Sequence, residues 1–296
     1  RIRVQRYLEG LRPDVIHAHD TFGIITRGMS HPRVFTIHGF IHEDTLYQGG
    51  LKARARSWLW KRAELATWAE QPHIVSISPY VRERLKGIST GMIHDIENPI
   101  ALECFDVVRR KESRGVFSAA IVCARKNTLG LIDAAIALSD RGVKSGVRLA
   151  GKITDPAYGG EVERRIREAD MGREVALLGP IPAPELRTEL AGANVFAMVS
   201  FEEGAPMGVA EAMAAGVPVV ASNRCGMPYM VRHGETGYLV QPDDVDDIAE
   251  HLGKLLTNGP RRVKMGENSR AFAREVFHPD RVAARTHAVY RRASRC

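Results

Sequence analysis

Short apolar runs that alternate with longer amphipathic segments constrain the fold of this chain most strongly. This alternation is typical of α/β domains, in which parallel strands are covered by the helices that connect them. A charged stretch after Asn98-Pro99-Ile100 predicts a linker between two groups of strands. The predicted strands are residues 15–18, 34–38, 74–77 and 92–96 before the linker, and 117–122, 147–150, 175–178, 195–199, 217–221 and 238–240 after it.

Length and composition are those of a soluble or peripheral protein with two domains. A chain of 296 residues with 44% hydrophobic content can bury two separate cores. No apolar run reaches the roughly 20 residues that span a bilayer, and no signal peptide is visible. The four cysteines are scattered without paired or metal-like spacing. We therefore expect a cytoplasmic protein, and a peripheral position at the inner face of the membrane stays open.

The basic balance of the chain favours anionic partners. A formal charge of +7 suits nucleotide phosphates, acidic lipid headgroups or nucleic acid, and does not choose among them. Aromatic residues make up 6% of the sequence, and no nucleic-acid-binding motif is present. We therefore expect no nucleic-acid partner.

Residues 200–222, SFEEGAPMGVAEAMAAGVPVVAS, combine a loop, a helix and a strand with two carboxylates. The helix is predicted to begin at Pro206 or Met207, because proline suits a first helical position. Glu203 then lies in the loop before the helix, and Glu211 lies one to two turns along it. A helix N-terminus between two carboxylates predicts a site for a nucleotide-sugar, with the diphosphate at the N–H groups and hydroxyls on either side. An ordinary loop-helix-strand corner is the alternative interpretation.

The same stretch resembles a known enzyme family. Glu203 and Glu211, followed by Ala-Met-Ala-Ala-Gly-Val-Pro-Val-Val, are similar to the signature of family-four retaining glycosyltransferases, and the similarity runs from about Pro13 to the C-terminus. The resemblance implies the GT-B fold, which has two Rossmann-like domains with a central cleft between them. It predicts an acceptor-side domain at 1–108, a donor-binding domain at 109–277 and a helix at 278–296 that crosses back to the first domain. The family opens with further strand and helix units and a glycine-rich loop, so we expect the N-terminal domain to be incomplete.

The resemblance also assigns donor-binding residues within the second domain. Met207 and Gly208 at the helix N-terminus are expected to bind the diphosphate, and Glu211 the ribose. Glu203 is expected to orient the donor sugar as a catalytic residue. Ile181 lies in a segment that passes beside the nucleotide base in the family and is expected to contact it through backbone groups.

Arg125 and Lys126 are the cations expected to stabilise the departing diphosphate. They follow the first predicted strand of the second domain, and guanidinium and ammonium groups neutralise phosphate oxygens. Members of the family carry a Gly-Arg pair at the end of this strand, where this chain has Ala120 and Ile121. Either Arg125 replaces the family arginine from the loop, or the chain is a divergent or inactive member.

Histidines lie at the ends of the first two predicted strands. His38 is the last residue of the strand at 34–38, where the family has a histidine near the acceptor and the donor sugar, and we expect it to be catalytic. A structural role is the alternative for a histidine at a strand end. His17 and His19 form a His-x-His pair without a nearby acidic pair, so no metal site is predicted.

A basic and tryptophan-rich segment at 51–69 predicts a helix that suits either an anionic membrane surface or the outside of a sheet. Its cations are concentrated in the first twelve residues, which contain no acid. The residues predicted to share one face are Leu51, Ala55, Trp58, Leu59, Leu65 and Ala69.

These observations lead to one principal function and two alternatives. We expect a retaining glycosyltransferase that moves a sugar from a nucleotide-diphosphate donor to a glycan or lipid-linked acceptor, as in polysaccharide biosynthesis. No cofactor is expected, because the donor is a co-substrate. A catalytically inactive nucleotide-sugar-binding or scaffold protein and a nucleotide-sugar epimerase are the alternatives. The sugar, the base, the acceptor and the linkage are not specified by the sequence.

Overall fold

The computed structural model describes residues 2–47, 49–111 and 114–295. The helices within these residues are α1 Ile2–Leu11, α2 Gly23–Thr26, α3 Ile41–Leu46, α4 Gly50–Ala69, α5 Pro79–Arg84, α6 Leu102–Phe105, α7 Thr128–Asp140, α8 Pro156–Glu168, α9 Ala183–Gly192, α10 Met207–Ala214, α11 Val245–Thr257, α12 Gly259–Val276 and α13 Pro279–Ala293. Short 3-10 helices occupy Asp20–Phe22, Ala124–Lys126 and Met227–Tyr229.

The strands form two separate parallel sheets. The strands are β1 Ile16–His19, β2 Arg33–Ile37, β3 His73–Ser76, β4 Met92–Asp95, β5 Val116–Ala119, β6 Val147–Ala150, β7 Val175–Gly179, β8 Val195–Met198, β9 Val219–Ser222 and β10 Gly237–Val240. The first sheet has the order β1-β2-β3-β4, and the second has the order β10-β9-β8-β5-β6-β7. The α/β prediction is therefore confirmed, and each predicted strand overlaps an observed one.

The chain divides into two compact units. One contains the residues up to Asn98 together with those from Asp280 onward, and the other comprises Pro99–Pro279. Each unit contains one of the two sheets. The C-terminal residues therefore complete the unit in which the chain starts.

The first sheet is covered on both faces. Val282 and Val289 of α13 pack with Val34 of β2 and Val75 of β3 in one buried cluster. On the other face, a Cβ atom added to Gly23 would lie 2.4 Å from the ring of Phe35 and 2.8 Å from a methyl of Thr67 in α4. Adjacent strand residues point to opposite faces, so α13 and α4 lie on opposite sides of β2.

The second sheet is also buried between two helical layers. Along β8, Phe196 and Met198 belong to one apolar cluster, and Val195 and Ala197 belong to the other. Helices α10 and α12 contribute to the first cluster, and α7, α8 and α11 contribute to the second. A sheet buried on both faces requires apolar residues at nearly every position, which explains the continuous apolar runs in the sequence.

Local capping fixes the starts of several helices. Asp155 accepts hydrogen bonds from the amides of Ala157 at 3.0 Å and Tyr158 at 3.2 Å, and so caps α8. Asp244 caps α11 by accepting from the amide of Asp247 at 3.0 Å. These bonds satisfy amides that have no partner within their own helix.

The face of α4 that is buried is not the predicted apolar face. Its buried residues are Ala53, Ser57, Glu64, Thr67 and Trp68. Leu51, Trp58 and Leu59 of the predicted apolar face are exposed, at 83%, 56% and 60% respectively. Helix α4 therefore covers the sheet as one of the two interpretations predicted, but the face that it buries consists of small and polar residues together with Trp68 and is not the predicted apolar face. Among the described residues, no helix is both long enough and apolar enough to cross a membrane.

Candidate functional site

The candidate donor site lies at the carboxyl edge of the second sheet, where the direction of strand addition reverses. Strand β5 is central, with β6 and β7 added on one side and β8, β9 and β10 on the other. Open α/β sheets bind ligands outside the carboxyl ends of their strands at such a switch point. The segments that follow β5 and β8 are therefore the expected walls of the site, and they contain Arg125, Lys126 and Glu203.

The turn after β5 holds its two cations in place. Arg125 and Lys126 lie in the 3-10 helix Ala124–Lys126, which ends at Asn127 with a left-handed φ of +54°. The buried Asn127 amide donates to the carbonyls of Val199 at 3.2 Å and Pro242 at 2.5 Å. Asparagine tolerates this backbone conformation better than most residues. Asn127 therefore ties the cationic turn to the ends of β8 and β10, a role that its sequence position alone does not indicate.

Arg125, Lys126 and Glu203 form one carboxylate–cation cluster. Lys126 Nζ makes an ion pair with Glu203 Oε1, and Arg125 Nη1 lies 3.6 Å from the same oxygen. Arg125 also donates to the carbonyl of Glu202 at 2.9 Å. The three side chains are only 19%, 13% and 10% exposed for Arg125, Lys126 and Glu203. Two cations against one carboxylate leave the cluster with a net positive charge in a partly desolvated position.

The N-terminus of α10 lies directly after this cluster. Pro206 precedes the helix with an extended conformation, and no side chain caps the first amides. A Cβ atom on Gly208 would lie 3.1 Å from Phe196 Cζ and 3.2 Å from the carbonyl oxygen of Ala119 at the end of β5. Glycine therefore lets the start of α10 approach β5 closely. The open amides at Met207 and Gly208 give a local positive potential at the same sheet edge as the two cations.

Glu211 lies one turn further along α10 in a partly buried position. Burial raises the pKa of its carboxyl above the ordinary value. The helix face next to it is fully packed, since Ala210 and Ala212 are buried in the core. Among the described residues, the Glu211 side chain makes no hydrogen bond or ion pair. A partly desolvated carboxylate without a protein partner is suited to accept hydrogen bonds from a vicinal diol.

The loop that carries Glu203 is held by the loop after β9. The Gly226 amide donates to the carbonyl of Glu203 at 2.8 Å. A Cβ atom on Gly226 would lie 1.7 Å from the carbonyl oxygen of Gly204, so no other residue fits without moving the backbone. This contact fixes the backbone on both sides of the Glu203 carbonyl.

Two further predicted positions lie elsewhere along the edge. Ile181 follows β7 and packs partly buried against the apolar cluster that contains α10. Ala120 and Ile121 occupy the positions of the family Gly-Arg pair, and the exposed side chain of Ile121 supplies no charge. The structure therefore brings together Glu203, Arg125 and Lys126.

The first sheet carries a histidine row formed by His17, His19 and His38. The rings of His17 and His19 stack with centroids 4.4 Å apart, and those of His19 and His38 with centroids 5.1 Å apart. His17 shares hydrogen bonds with Tyr290 Oη at 2.6 Å and Thr36 Oγ1 at 2.7 Å. Burial, followed by the charges of His19 and His38, lowers the pKa of His17 to about 4. His17 is therefore a neutral structural residue at neutral pH.

His38 is the exposed end of the histidine row. Its Nε2 and the Nδ1 of His19 share a hydrogen bond of 2.8 Å, and its backbone amide donates to Asp20 Oδ1 at 2.7 Å. Burial, and then the charge of His38, lowers the pKa of His19. A neutral His19 can therefore fix the ring orientation of His38 at the carboxyl edge of the sheet.

Glu64 is a buried residue whose role the sequence pattern did not reveal. Its carboxylate accepts from the amides of Ile41 at 2.9 Å and His42 at 3.1 Å, at the start of α3. It also lies 2.6 Å from His42 Nδ1. The carboxylate comes from α4 and fixes the segment that follows His38. Because its partners are more than 20 residues away in the sequence, no local pattern indicates this role.

No group of three or more potential metal ligands is found among the described residues. Cys104, Cys123 and Cys225 are free thiols. Burial is the main cause of a raised pKa of about 11 for Cys104. The candidate site is thus built from carboxylates, cations and backbone amides.

Comparisons with known proteins identify the family of this chain. Residues 105–272 match the family "Glycosyl transferases group 1", and residues 1–103 match "Glycosyltransferase Family 4". The MMP α-(1→4)-mannosyltransferase of Mycolicibacterium hassiacum is 29% identical over 99% of this chain and 74% of its own length. The GDP-mannose-dependent α-(1-6)-phosphatidylinositol monomannoside mannosyltransferase of Mycobacterium tuberculosis is 37% identical over 38% of this chain and 31% of its own.

A solved structure shows the same fold over nearly the whole chain. The sucrose-phosphate synthase of Thermosynechococcus elongatus superposes with a TM-score of 0.81 at 22% identity, over 98% of this chain and 76% of its own. The likeness identifies the two sheets as the Rossmann-like halves of the GT-B fold. Together, the family matches and the fold show that the chain belongs to the group 1 glycosyltransferases.

Proposed function

We propose that this chain transfers a sugar, with retention of its anomeric configuration, from a nucleoside diphosphate sugar to a hydroxyl of a glycan or lipid-linked acceptor. The observation that carries the proposal is the carboxylate–cation cluster of Glu203, Arg125 and Lys126 beside the open N-terminus of α10. Such a cluster at the sheet's switch point suits a diphosphate flanked by hydroxyl groups.

Stabilisation of the leaving group is the central catalytic step in this proposal. As the glycosidic bond breaks, negative charge develops on the diphosphate oxygens. Lys126, Arg125 and the amides of Met207 and Gly208 are the groups proposed to bind that charge. Before the reaction, Arg125 is held by the carbonyl of Glu202, and the turn that carries both cations is held by Asn127, so little reorganisation of the cations is needed.

The two carboxylates have different proposed roles. Glu211, partly buried and without a described partner, would accept hydrogen bonds from the ribose diol of the donor. Glu203 would orient the sugar hydroxyls while its charge stays balanced by Lys126 and Arg125. The backbone after β7 at Ile181 is proposed to contact the base. No further cofactor is proposed, because the donor itself brings the leaving group.

Retention is proposed to follow from attack on the leaving-group face of the sugar. The diphosphate oxygen would take the proton of the acceptor hydroxyl as the new bond to the anomeric carbon forms. No protein side chain is then needed as the base. His38 is proposed to position substrate, with its ring fixed by His19.

A donor screen with matched variants tests the proposal. GDP-mannose, UDP-glucose and other nucleotide-sugars would be incubated with the chain, and release of the nucleoside diphosphate and of transferred sugar would be measured. We expect Glu203→Gln to lower turnover by about a hundredfold, the scale of one transition-state contact. Near-normal turnover in Glu203→Gln would contradict the proposed role of the cluster.

A donor-binding protein without transferase activity is the second candidate. Ala120 and Ile121, in place of the family Gly-Arg pair, favour it. Nucleoside diphosphates would then raise the melting temperature without any donor turnover. Conversion of the donor in the absence of an acceptor would instead indicate an epimerase.

We also propose that the exposed face of α4 contacts an anionic membrane surface, at the inner face of the membrane. Leu51, Trp58 and Leu59 are solvent-exposed on this helix, and Arg62 lies 4.9 Å from the Trp58 ring centroid. Apolar side chains bordered by cations suit insertion at the level of lipid headgroups. The further cations on the helix are Lys52, Arg54, Arg56 and Lys61.

Vesicle sedimentation tests this surface. Vesicles that contain phosphatidylglycerol should retain the chain, and Lys61→Gln with Arg62→Gln should weaken retention by about thirtyfold, since each cation contributes about 1 kcal/mol. Arg164→Gln with Arg167→Gln on exposed α8 removes the same charge elsewhere and should have little effect. Equal losses in the two double variants would show a non-specific charge effect and would contradict the proposal.

A further inference from the structure

A second cavity lies in the Pro99–Pro279 unit at the amino edge of its sheet, opposite the candidate donor site. It has a volume of about 430 Å³. Asn194 precedes β8, and Gly216 and Pro218 precede β9, and all three line it. The volume is within the range of about 300–1,000 Å³ that is usual for small-molecule sites. We call it the rear cavity.

The charge of the rear cavity is strongly unbalanced. Among the described residues, its charged lining is Arg109, Arg110, Lys111, Arg262, Arg270 and Glu267. Within residues 2–47, 49–111 and 114–295, none of these five cations forms an ion pair with a carboxylate. The described lining therefore contains five positive side chains and one negative side chain.

Two of the arginines are fixed by backbone carbonyls. The Arg109 guanidinium donates to the carbonyls of Leu190 and Ala193. Arg270 Nη2 donates to the carbonyls of Val107 at 2.6 Å and Ala215 at 2.7 Å. These bonds orient the guanidinium planes without neutralising their charge. Each guanidinium has five N–H donors, so several remain for a ligand.

One donor in this cavity is buried and unused. Arg270 Nε has no hydrogen-bond partner among the described residues, although it is shielded from solvent. Leaving a buried N–H of a charged group unsatisfied is costly. Burial, followed by the charges of Arg270 and Arg262, lowers the pKa of Arg109 to about 10. The cluster therefore costs folding stability, and a bound anion would offset that cost.

We propose that the rear cavity binds a small metabolite that carries two phosphate groups. Each phosphate monoester carries about −1.5 to −2 charge at neutral pH, so two supply about −3 to −4. Five cations and one carboxylate give a local net charge of +4, since 5 − 1 = 4. Arginine binds phosphate oxygens through parallel N–H bonds, and the fixed planes of Arg109 and Arg270 suit this geometry.

This ligand would act at a place distinct from the sugar donor. The carboxylate–cation cluster follows β5 and β8, whereas the rear cavity lies before β8 and β9. Helix α12 supplies Arg262 and Arg270, and it packs with α10, whose N-terminus belongs to the candidate donor site. A ligand in the rear cavity can therefore stabilise the packing behind that helix.

The probe for the test is fructose 1,6-bisphosphate, titrated calorimetrically at constant ionic strength. Arg110→Gln with Lys111→Gln removes two exposed cations from the lining, and the affinity should fall about tenfold or more. Arg261→Gln with Lys264→Gln removes the same charge from exposed positions of α12 outside the lining, and the affinity should change little. Lys126→Ala at the donor site should also leave the affinity unchanged.

The melting temperature gives an independent readout. Without ligand, Arg110→Gln with Lys111→Gln should be at least as stable as the unmodified chain, because like-charge repulsion is relieved. Bisphosphate should raise the melting temperature of the unmodified chain and of the α12 control more than that of the lining variant. Binding that is lost in Lys126→Ala and kept in the lining variant would place the probe at the donor site and overturn the proposal. Absence of millimolar binding would overturn it as well.

Discussion

Replacing Lys126 with alanine tests the electrostatic argument at the donor site. Lys126 Nζ and Arg125 Nη1 both face Glu203 Oε1, the latter at 3.6 Å. Two unit charges about 4 Å apart interact by about 4 kcal/mol at an effective dielectric constant near 20. Loss of one such partner should weaken the stabilisation of the leaving diphosphate by about 2.7–4 kcal/mol. We therefore expect Lys126→Ala to lower kcat by about 10²- to 10³-fold.

The folding cost of the same substitution should be smaller. Glu203 keeps Arg125 as a partner, so Lys126→Ala should lower the free energy of unfolding by about 1–3 kcal/mol. The double variant Lys126→Ala with Glu203→Gln also removes the carboxylate that has lost one of its two cations, and it should recover much of that stability. It should not recover turnover, because the cation is still absent. This separation distinguishes a catalytic contact from a structural ion pair.

The assay combines steady-state kinetics with nucleotide titration and urea unfolding. Lys254→Ala is the matched control, since Lys254 pairs with Glu250 at 2.5 Å on α11, outside the candidate site. It should leave turnover unchanged and alter stability by about 0.5 kcal/mol at most. Recovery of both stability and turnover in the double variant of Lys126 and Glu203 would refute the reasoning.

Further predictions concern pH and backbone fit. Burial raises the pKa of Glu211. The free energy of unfolding of the chain, relative to that of Glu211→Gln, should therefore fall as pH rises from about 4.5 through the raised pKa. Urea titrations across that pH range measure this difference. The pKa of His17 is lowered to about 4, so its contribution to stability should be fully present above pH 6.5 and lost as pH falls toward 4. His17→Gln should flatten this pH dependence of the unfolding free energy. Equal slopes in the variant and the unmodified chain would contradict the prediction. Gly226→Ala should destabilise by more than about 1 kcal/mol because its Cβ atom meets the Gly204 carbonyl, whereas Gly160→Ala in open space on α8 should stabilise by up to about 1 kcal/mol. Thermal unfolding of the two variants checks both signs.

Strand positions were predictable because a doubly covered parallel sheet imposes continuous apolar runs. Residues 147–150 coincide with β6, and 195–199 extend one residue past β8. The start of α10 was predictable as well, because Pro206 restricts the backbone at the loop-to-helix boundary. Local chemistry fixes both features, so the sequence is sufficient for them.

The orientation of α4 was not predictable from periodicity. Its buried face consists of small and polar residues together with Trp68, and Glu64 accepts hydrogen bonds from amides of α3. Periodicity identifies the apolar face of a helix but does not show whether another element packs against that face. The charged linker likewise gives no sign that Arg109 meets the charge of Arg270, because that proximity depends on the packing of α12. Long-range partners of this kind require the folded structure.

The anomeric configuration of the product tests the central claim most directly. The chain would be incubated with an active α-linked nucleotide-sugar and its acceptor, and the newly formed linkage would be assigned by proton NMR before any equilibration. We predict an α-linked product, formed with one nucleoside diphosphate released per sugar transferred, and a rate of formation at least about a hundredfold lower in Lys126→Ala. A β-linked product, or transfer at a near-normal rate in Lys126→Ala, would contradict the account.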